Sequence, residues 1–351
     1  MPIDVVKVFL PAATAFFVGI MLAPILTSFL YKHKLWKKKV RTEALGGGGT
    51  PIFAKLHEHK EIGTPRMGGI IIWVSVLLTT LLFAVIAGLF ENTTTDKLNF
   101  LSRKQTWLPL FTLMVGALVG LADDILQVLE RGGYIAGGMA LTKRIGVVIL
   151  LGLVGGWWFF AKLGVSSIHI PFAGDLVLGW VIVPLFMLTM LALFSGGVID
   201  GIDGLAGGVM TAIFSAYAVI AFFQTQIDLA VFCAVVAGGT LAFLWFNIPP
   251  ARFYMSETGM LGLTTSLTVV AFLTGAVLVL PIIAFPLVAT TLSNIIQIIS
   301  KRTRKGKKVF LVAPLHHHFE AVGWSAPKVT MRYWVLSVVF ALVGMIVALI
   351  G

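Results

Sequence analysis

Residues 205–246 have the sequence LAGGVMTAIFSAYAVIAFFQTQIDLAVFCAVVAGGTLAFLWF, in which Asp228 is the single charged side chain. Two apolar runs, at 205–224 and 229–246, are separated by a short polar break. A helix that crosses a bilayer needs about 20 apolar residues, because each residue adds about 1.5 Å to its length. The pattern therefore predicts two consecutive membrane-spanning helices.

The same pattern extends over the whole chain, since 58% of its 351 residues are hydrophobic and only 12% are charged. Soluble domains carry about 25% charged residues, so the composition excludes both a soluble globular protein and a disordered chain. The single cysteine excludes a disulfide scaffold. We predict an all-α polytopic membrane protein, with one transmembrane domain over residues 1–351 and about ten spans. These spans are roughly 6–31, 67–90, 107–128, 144–163, 177–199, 205–224, 229–246, 260–279, 281–300 and 332–350.

The distribution of charge predicts how the spans are oriented. The loops on one side hold 21 of the 26 Lys and Arg residues, and basic loops are typical of the cytoplasmic face. The formal net charge of +11 then falls on that face, and an even number of spans places both termini outside. In a soluble protein, such a surplus of positive charge indicates binding to nucleic acid. Here the surplus is explained by the orientation of a membrane protein, and no nucleic-acid partner is expected. Residues 164–176 alternate in polarity and are predicted to form an external hairpin.

Acidic side chains are scarce, with 15 in the chain, and five of them lie at the predicted cytoplasmic ends of helices. These five are Asp123, Asp124, Asp200, Asp203 and Glu257. Clustered carboxylates repel one another unless a cation lies between them, and Mg²⁺ binds such oxygens together with substrate phosphates. Capping of a helix end is the alternative interpretation for any one acid. Because the five acids come from three loops, their placement favours a Mg²⁺–phosphate site at the cytoplasmic surface.

A transporter is a competing class, since transporters place ionisable groups near the bilayer midplane on broken helices. The middle of every predicted span lacks Asp, Glu, Lys and Arg, and no internal repeat is evident. Both observations favour chemistry at the membrane surface. The basic run at 301–308 has two interpretations, an anchor for anionic membrane lipid or part of a phosphate site. Three histidines follow at 316–318, and consecutive helical side chains diverge by about 100°, so the three cannot all reach one metal.

Several motifs resemble, in order along the chain, those of the bacterial phospho-N-acetylmuramoyl-pentapeptide transferase family. They are residues 63–69 (GTPRMGG), the pair Asp123-Asp124, and residues 200–206 (DGIDGLA), 246–251 (FNIPPA), 255–259 (MSETG) and 314–320 (PLHHHFE). The resemblance covers about residues 57–320 and implies ten helices with both termini outside. The wider superfamily of polyprenyl-phosphate HexNAc-1-phosphate transferases shares the acids, whereas the histidine motif is typical of the muramoyl-pentapeptide branch.

The resemblance implies transfer of phospho-MurNAc-pentapeptide from UDP-MurNAc-pentapeptide to undecaprenyl phosphate, which gives lipid I and UMP at a bacterial plasma membrane. It implies that the catalytic acids and Mg²⁺ ligands are Asp123, Asp124, Asp200 and Glu257. It also implies substrate contacts at Lys60, Thr64, Asp203, Asn247, His316, His317 and His318. A homodimer is implied by the resemblance alone.

Four positions depart from the family pattern. Gln127 stands where the family usually has lysine, Gly197 where it has asparagine, and Ser256-Glu257 where it has glycine and aspartate. A divergent but active enzyme is compatible with these changes. The alternatives are a related HexNAc-1-phosphate transferase and a weakly active or non-catalytic paralogue that binds lipid phosphate.

Overall fold

The computed structural model describes residues 2–38, 63–90, 92–102, 105–132 and 138–351. Within these ranges the chain forms thirteen α-helices, two short 3₁₀ turns and one hairpin. The helices are α1 (Pro2–Lys32), α2 (Ile70–Leu89), α3 (Thr93–Leu98), α4 (Trp107–Val128), α5 (Leu141–Ala161), α6 (Ile182–Ser195), α7 (Leu205–Phe223), α8 (Ile227–Asn247), α9 (Ser256–Leu273), α10 (Leu280–Ile283), α11 (Phe285–Thr303), α12 (Leu315–Ala321) and α13 (Ala326–Ile350). The hairpin joins β1 (Ser167–Ile170) to β2 (Gly174–Val177).

Eight helical segments in the described part of the chain are long and apolar enough to cross a membrane. They contain α1, α2, α4, α5, α6, α7, α8 and α13. A lipid-embedded backbone must satisfy its hydrogen bonds internally, and an α-helix does so within one segment. The prediction of an all-α polytopic membrane protein is therefore confirmed, while the number of ten crossings and the sides of the termini stay predictions.

The predicted spans 260–279 and 281–300 differ most from the helices observed. Helix α9 ends at Leu273, and the chain turns through Gly275, whose φ of +65° is one that glycine adopts without strain. The short helix α10 and the longer α11 follow, and α11 ends with two basic residues in its last turn. The apolar pattern did not locate this boundary because the residues that turn the chain are themselves apolar or small.

Helices α4 and α9 lie against each other at unusually close range, and glycines permit this approach. A Cβ added to Gly116 would lie 2.5 Å from the Thr265 hydroxyl oxygen, and one added to Gly120 would lie 2.1 Å from the Glu257 carbonyl oxygen. The Thr265 hydroxyl donates a hydrogen bond of 2.9 Å to the Thr112 carbonyl. Small residues and interhelical hydrogen bonds are what hold helices together where the surroundings are apolar. This contact positions the acids described below.

The hairpin predicted at 164–176 is confirmed, with Ser167 opposite Val177 in an antiparallel pair. Helix α5 begins beside the acidic site and ends just before the hairpin, so the hairpin lies at the other end of the bundle. His169 Nδ1 lies 2.8 Å from Asp175 Oδ1 across the strands. The hydrogen bond to Asp175 is the main reason that the pKa of His169 is raised above 6.5.

Candidate active site

The start of α9 gathers two carboxylates from elsewhere in the chain. The Ser256 N–H donates to Asp200 Oδ2 at 2.8 Å, and the Thr258 N–H donates to Asp124 Oδ2 at 2.9 Å. The Thr258 hydroxyl donates to the same Asp124 oxygen at 2.6 Å. The first N–H groups of a helix have no partner within the helix and carry partial positive charge. Acids from α4 and from the α6–α7 connection therefore converge on this helix end, where Glu257 occupies the first turn.

Two arginines complete the cluster, each beside one member of the aspartate pair. Arg66 Nε lies 3.3 Å from Asp124 Oδ1, and Arg144 Nη1 lies 3.5 Å from Asp123 Oδ2. The same Arg144 nitrogen lies 2.5 Å from Glu257 Oε1. Both aspartates are fully buried, and a buried carboxylate is stable only when it is paired and hydrogen-bonded. The arginines supply that pairing.

Burial and neighbouring charges shift the pKa of the groups at the helix ends. Burial raises the pKa of Asp200 to about 6, with repulsion from Asp124 and Asp203 acting in the same direction. The Ser256 N–H and Arg66 oppose this rise. Burial lowers the pKa of Arg66, but attraction to Asp124, Asp200 and Glu257 outweighs it, so the pKa is raised overall. Arg66 is thus a permanent cation here, and the pKa of the Asp200 carboxyl lies about one unit below neutral pH.

The charge and donor chemistry of the cluster suit a hard divalent cation. Four carboxylates face two guanidinium groups, which leaves a formal charge of −2, and carboxylate oxygens are the ligands that Mg²⁺ prefers. Among the described residues, Glu257 and Asp200 each use one oxygen in a protein hydrogen bond, whereas Asp123 and Asp124 use both. Within that same part of the chain, no three His, Cys, Asp or Glu side chains converge as ready metal ligands. The residues fit Mg²⁺ by chemistry, and Glu257 and Asp200 have oxygens available to it.

The three histidines do not converge on one point, because the rings of His316 and His317 lie together and that of His318 lies elsewhere. A Cβ on Gly201 would lie 2.5 Å from His316 Nε2 and 2.8 Å from His317 Nε2, so both rings lie against the loop that carries Asp200. His317 Nδ1 is also 2.7 Å from Glu320 Oε2. His318 instead accepts a hydrogen bond from the Leu311 N–H at 3.2 Å. Two of the three histidines therefore border the acidic cluster, and the third lies on the basic loop that precedes α12.

Asp203 and Asn247 form a hydrogen-bonded brace that connects the α6–α7 loop to the α8–α9 turn. Asn247 accepts from the Gly204 N–H and donates to the Phe253 carbonyl, both at 2.9 Å, and it is buried. Asp203 accepts from the Ala251 N–H at 3.3 Å. With both ends of its amide engaged, Asn247 holds two segments in place, and its expected contact with substrate stays a prediction.

The first glycine-rich motif is joined backbone to backbone with the segment before α9. The Tyr254 N–H donates to the Pro65 carbonyl at 2.9 Å, and the Gly68 N–H donates to the Tyr254 carbonyl at 2.8 Å. Thr64 is half-buried at the edge of this contact. Lys60 lies outside the described residues. The contact places Arg66 beside Asp124, although the two are 58 positions apart in the chain.

Arg66, Arg144 and Thr258 are site residues that sequence reasoning did not single out. A signal was present for Arg144, because a basic residue in the first turn of an apolar helix that faces a set of acids is a candidate partner for them. For Thr258 the signal was its position at the third residue of a helix, whose N–H needs an acceptor. Arg66 lies inside a quoted motif, but the motif does not indicate which acid the guanidinium contacts.

At two of the positions that depart from the family pattern, the backbone shows whether the residue usual in the family would fit. Ser256 has a φ of +60°, a left-handed conformation that glycine adopts readily and serine does not. A Cβ on Gly197 would lie 3.8 Å from Met260 Cβ, an ordinary contact, so there is room for a side chain there. The expected glycine and asparagine are thus both compatible with this backbone. Glu257 keeps the negative charge of the expected aspartate and pairs it with Arg144.

These features define a class of protein: a polytopic helical membrane protein with a buried, arginine-paired carboxylate site at one end of its bundle. Comparison with known proteins identifies the family within this class. Residues 106–276 match Glycosyl transferase family 4, a range that includes both aspartate pairs and Glu257. The relatives below extend the match to nearly the whole chain.

The phospho-N-acetylmuramoyl-pentapeptide-transferase of Geobacillus sp. (strain WCH70) is 36% identical over 340 residues, which cover 94% of each chain. The protein of the same name from Listeria welshimeri is 33% identical over 96% of this chain and 97% of its own. That from Bacillus mycoides is 35% identical over 95% of each. This chain belongs to the phospho-N-acetylmuramoyl-pentapeptide transferase family.

Proposed function

We propose that this protein transfers phospho-MurNAc-pentapeptide from UDP-MurNAc-pentapeptide to undecaprenyl phosphate, forming lipid I and releasing UMP. The observation that carries the proposal is the convergence of four carboxylates and two arginines on the start of α9. One substrate is a lipid phosphate and the other a water-soluble, anionic nucleotide sugar. They meet only at the membrane surface, and a polar cluster at one end of an apolar bundle suits that meeting.

The active site faces the cytoplasm of a bacterial cell, at its plasma membrane. The support is the concentration of 21 of the 26 basic residues in loops on the side of the acids, because basic loops are retained in the cytoplasm. The same surplus attracts an anionic nucleotide sugar and anionic membrane lipid.

Mg²⁺ is the proposed metal, and Glu257 and Asp200 are the residues best placed to hold it, with Asp123 and Asp124 beside them. When bound, it neutralises charge on the pyrophosphate of the nucleotide sugar. Its support here is the formal charge of −2 and the carboxylate oxygens that Glu257 and Asp200 still offer among the described residues.

The protein's own groups orient the two phosphates. An oxygen of the lipid phosphate attacks the phosphorus on the sugar side of the pyrophosphate, and the bond from that phosphorus to the UMP oxygen breaks. Asp123 orients the lipid phosphate and accepts a proton from it if one is present; a phosphate monoester with a second pKa near 6 is largely dianionic at neutral pH. His316 and His317 donate hydrogen bonds to phosphate or sugar oxygens. Further substrate contacts are proposed at Lys60, Thr64, Asp203, Asn247 and His318.

The proposal is tested with the full-length protein purified in detergent, undecaprenyl phosphate, labelled UDP-MurNAc-pentapeptide and Mg²⁺. We expect UMP release that EDTA abolishes and added Mg²⁺ restores. Asp124→Asn and Glu257→Ala should each lower the rate by at least about 100-fold, since a misplaced group at a phosphoryl-transfer site costs about that much. Asp175→Asn, an acid-to-amide change at the opposite end of the bundle, is the matched control and should keep the rate.

Absence of UMP release from the wild-type protein would refute the transferase assignment and leave a non-catalytic paralogue that binds lipid phosphate. Full activity in both site variants would refute the site assignment. Replacing the substrate by UDP-GlcNAc distinguishes the related HexNAc-1-phosphate transferase, which would release UMP with it. Light scattering in detergent measures whether the chain forms the homodimer that the resemblance implies.

A further inference from the structure

Three helices meet at the side chain of Arg144. It lies in the first turn of α5 and is buried, with an exposed fraction of 8%. Its Nη1 nitrogen contacts Glu257 of α9 at 2.5 Å and Asp123 of α4 at 3.5 Å. One guanidinium group therefore spans two carboxylates that belong to different helices. Arginine suits this role because its planar group presents several N–H donors in fixed directions.

The second group on the same Asp123 oxygen is a neutral amide. Gln127 lies one turn after Asp123 on α4, and its Nε2 donates to Asp123 Oδ2 at 2.7 Å. Arg144 reaches the same oxygen from across the interface. Two side chains thus donate hydrogen bonds to Asp123 Oδ2, and of these two only Arg144 carries a positive charge. A cation at position 127 would reach the same carboxylate, because the Gln127 nitrogen already does.

We propose that Arg144 is a positioning residue for the transfer reaction, whose guanidinium sets the separation of Asp123 and Glu257 and supplies the positive charge that glutamine at 127 lacks. This inference rests on the proposed function. The buried Asp123 carboxylate and the half-buried Glu257 carboxylate repel each other when the cation between them is removed. The end of α4 and the start of α9 would then move apart, and phosphoryl transfer depends mainly on the placement of such groups.

The test exchanges the charge between the two positions. Arg144→Gln, Gln127→Lys and the double variant form one cycle, and kcat and KM for UMP release are measured for each. Arg144→Gln should lower kcat about 100-fold with a smaller change in KM. Adding Gln127→Lys to it should restore kcat at least tenfold, because the ammonium group of the introduced lysine again places a positive charge beside Asp123. Lys143→Gln removes an exposed cation from the same turn of α5 and is the matched control, expected to keep the wild-type rate.

Thermal unfolding of the same proteins, without metal or substrate, separates this inference from the proposed function. Arg144→Gln should unfold at least roughly 3 °C below wild type, and the double variant should regain part of that loss. A double variant that is as slow and as unstable as Arg144→Gln overturns the inference, as does a wild-type kcat in Arg144→Gln. If the wild-type protein releases no UMP, the proposed function fails, and the unfolding temperatures alone decide whether charge at 127 replaces Arg144.

Discussion

Gly120 offers the sharpest test of how the site is built, because the substitution is one methyl group and the geometry is explicit. In Gly120→Ala the new Cβ would lie 2.1 Å from the Glu257 carbonyl oxygen, 2.4 Å from its carbonyl carbon and 2.7 Å from the Thr258 nitrogen. All three atoms belong to the backbone of α9, so no side chain can rotate away. Ordinary contacts of this kind begin near 3.4 Å, and the helices must therefore separate by about 1 Å.

The separation has two measurable consequences. Overpacking of this kind costs about 1–3 kcal/mol of folding stability. It also displaces Glu257 and Thr258 from the aspartates on α4, although neither side chain is changed. A displacement of about 1 Å at a reacting centre lowers the rate by about 100-fold. The loss in rate should thus exceed what partial unfolding of the variant accounts for.

The assay is UMP release by the purified protein, together with its unfolding temperature in the same detergent. Gly146→Ala is the matched control, since Gly146 lies in helix α5 and its added Cβ would contact nothing within 4 Å. That control should keep the rate and unfold at the same or a slightly higher temperature. If Gly120→Ala matches the control in both measurements, the close contact of α4 with α9 does not position the acids.

Three further predictions concern residues around and away from the cluster. Asn247→Ala leaves a buried N–H and a buried carbonyl without their hydrogen bonds and should cost about 2–4 kcal/mol, measured by denaturant unfolding. Ser256→Gly relieves a left-handed backbone and should raise stability by about 1 kcal/mol, seen as a higher unfolding temperature. NMR titration of His169 should show a pKa above 6.5 that returns toward 6.5 in Asp175→Asn. Because the pKa of His169 is raised in the folded protein, the stabilisation from the His169–Asp175 pair is complete below about pH 6.5 and is lost as pH rises through the raised pKa. A His169 titration that is unchanged in Asp175→Asn would contradict the pairing.

Much of the helical architecture was predictable because lipid imposes a simple rule. A backbone in hydrocarbon must satisfy its own hydrogen bonds, so runs of about 20 apolar residues become helices wherever they occur. The segments 205–224 and 229–246 correspond closely to α7 and α8. The rule fails where a turn is built from small and apolar residues, as it is after Leu273. It also does not distinguish α9, which is buried inside the bundle, from a helix that faces lipid.

The candidate site was predictable in its residue types and only partly in its contacts. Motif order and helix ends located the acids, but nothing local links Arg144 to Glu257, which lies 113 positions away. Likewise nothing local links Arg66 to Asp124, which lies 58 positions away. Such contacts depend on which helices pack together, and that packing depends on glycines whose role is visible only when the opposing backbone is known. The different directions of His317 and His318 followed from helical spacing, whereas the neighbours that each contacts did not.

The sequence by itself determined the class of fold, the scarcity and position of the acids, and the family. These are properties of composition, of spacing along the chain and of short motifs, and each is set by residues close to one another in sequence. Tertiary structure alone decided that Arg144 spans Asp123 and Glu257, that Asp124 and Asp200 cap the start of α9, and that Asn247 is a brace. The physical reason is that charge pairing and desolvation act over a few ångströms in space. Those distances are set by the approach of helices that are far apart in the chain.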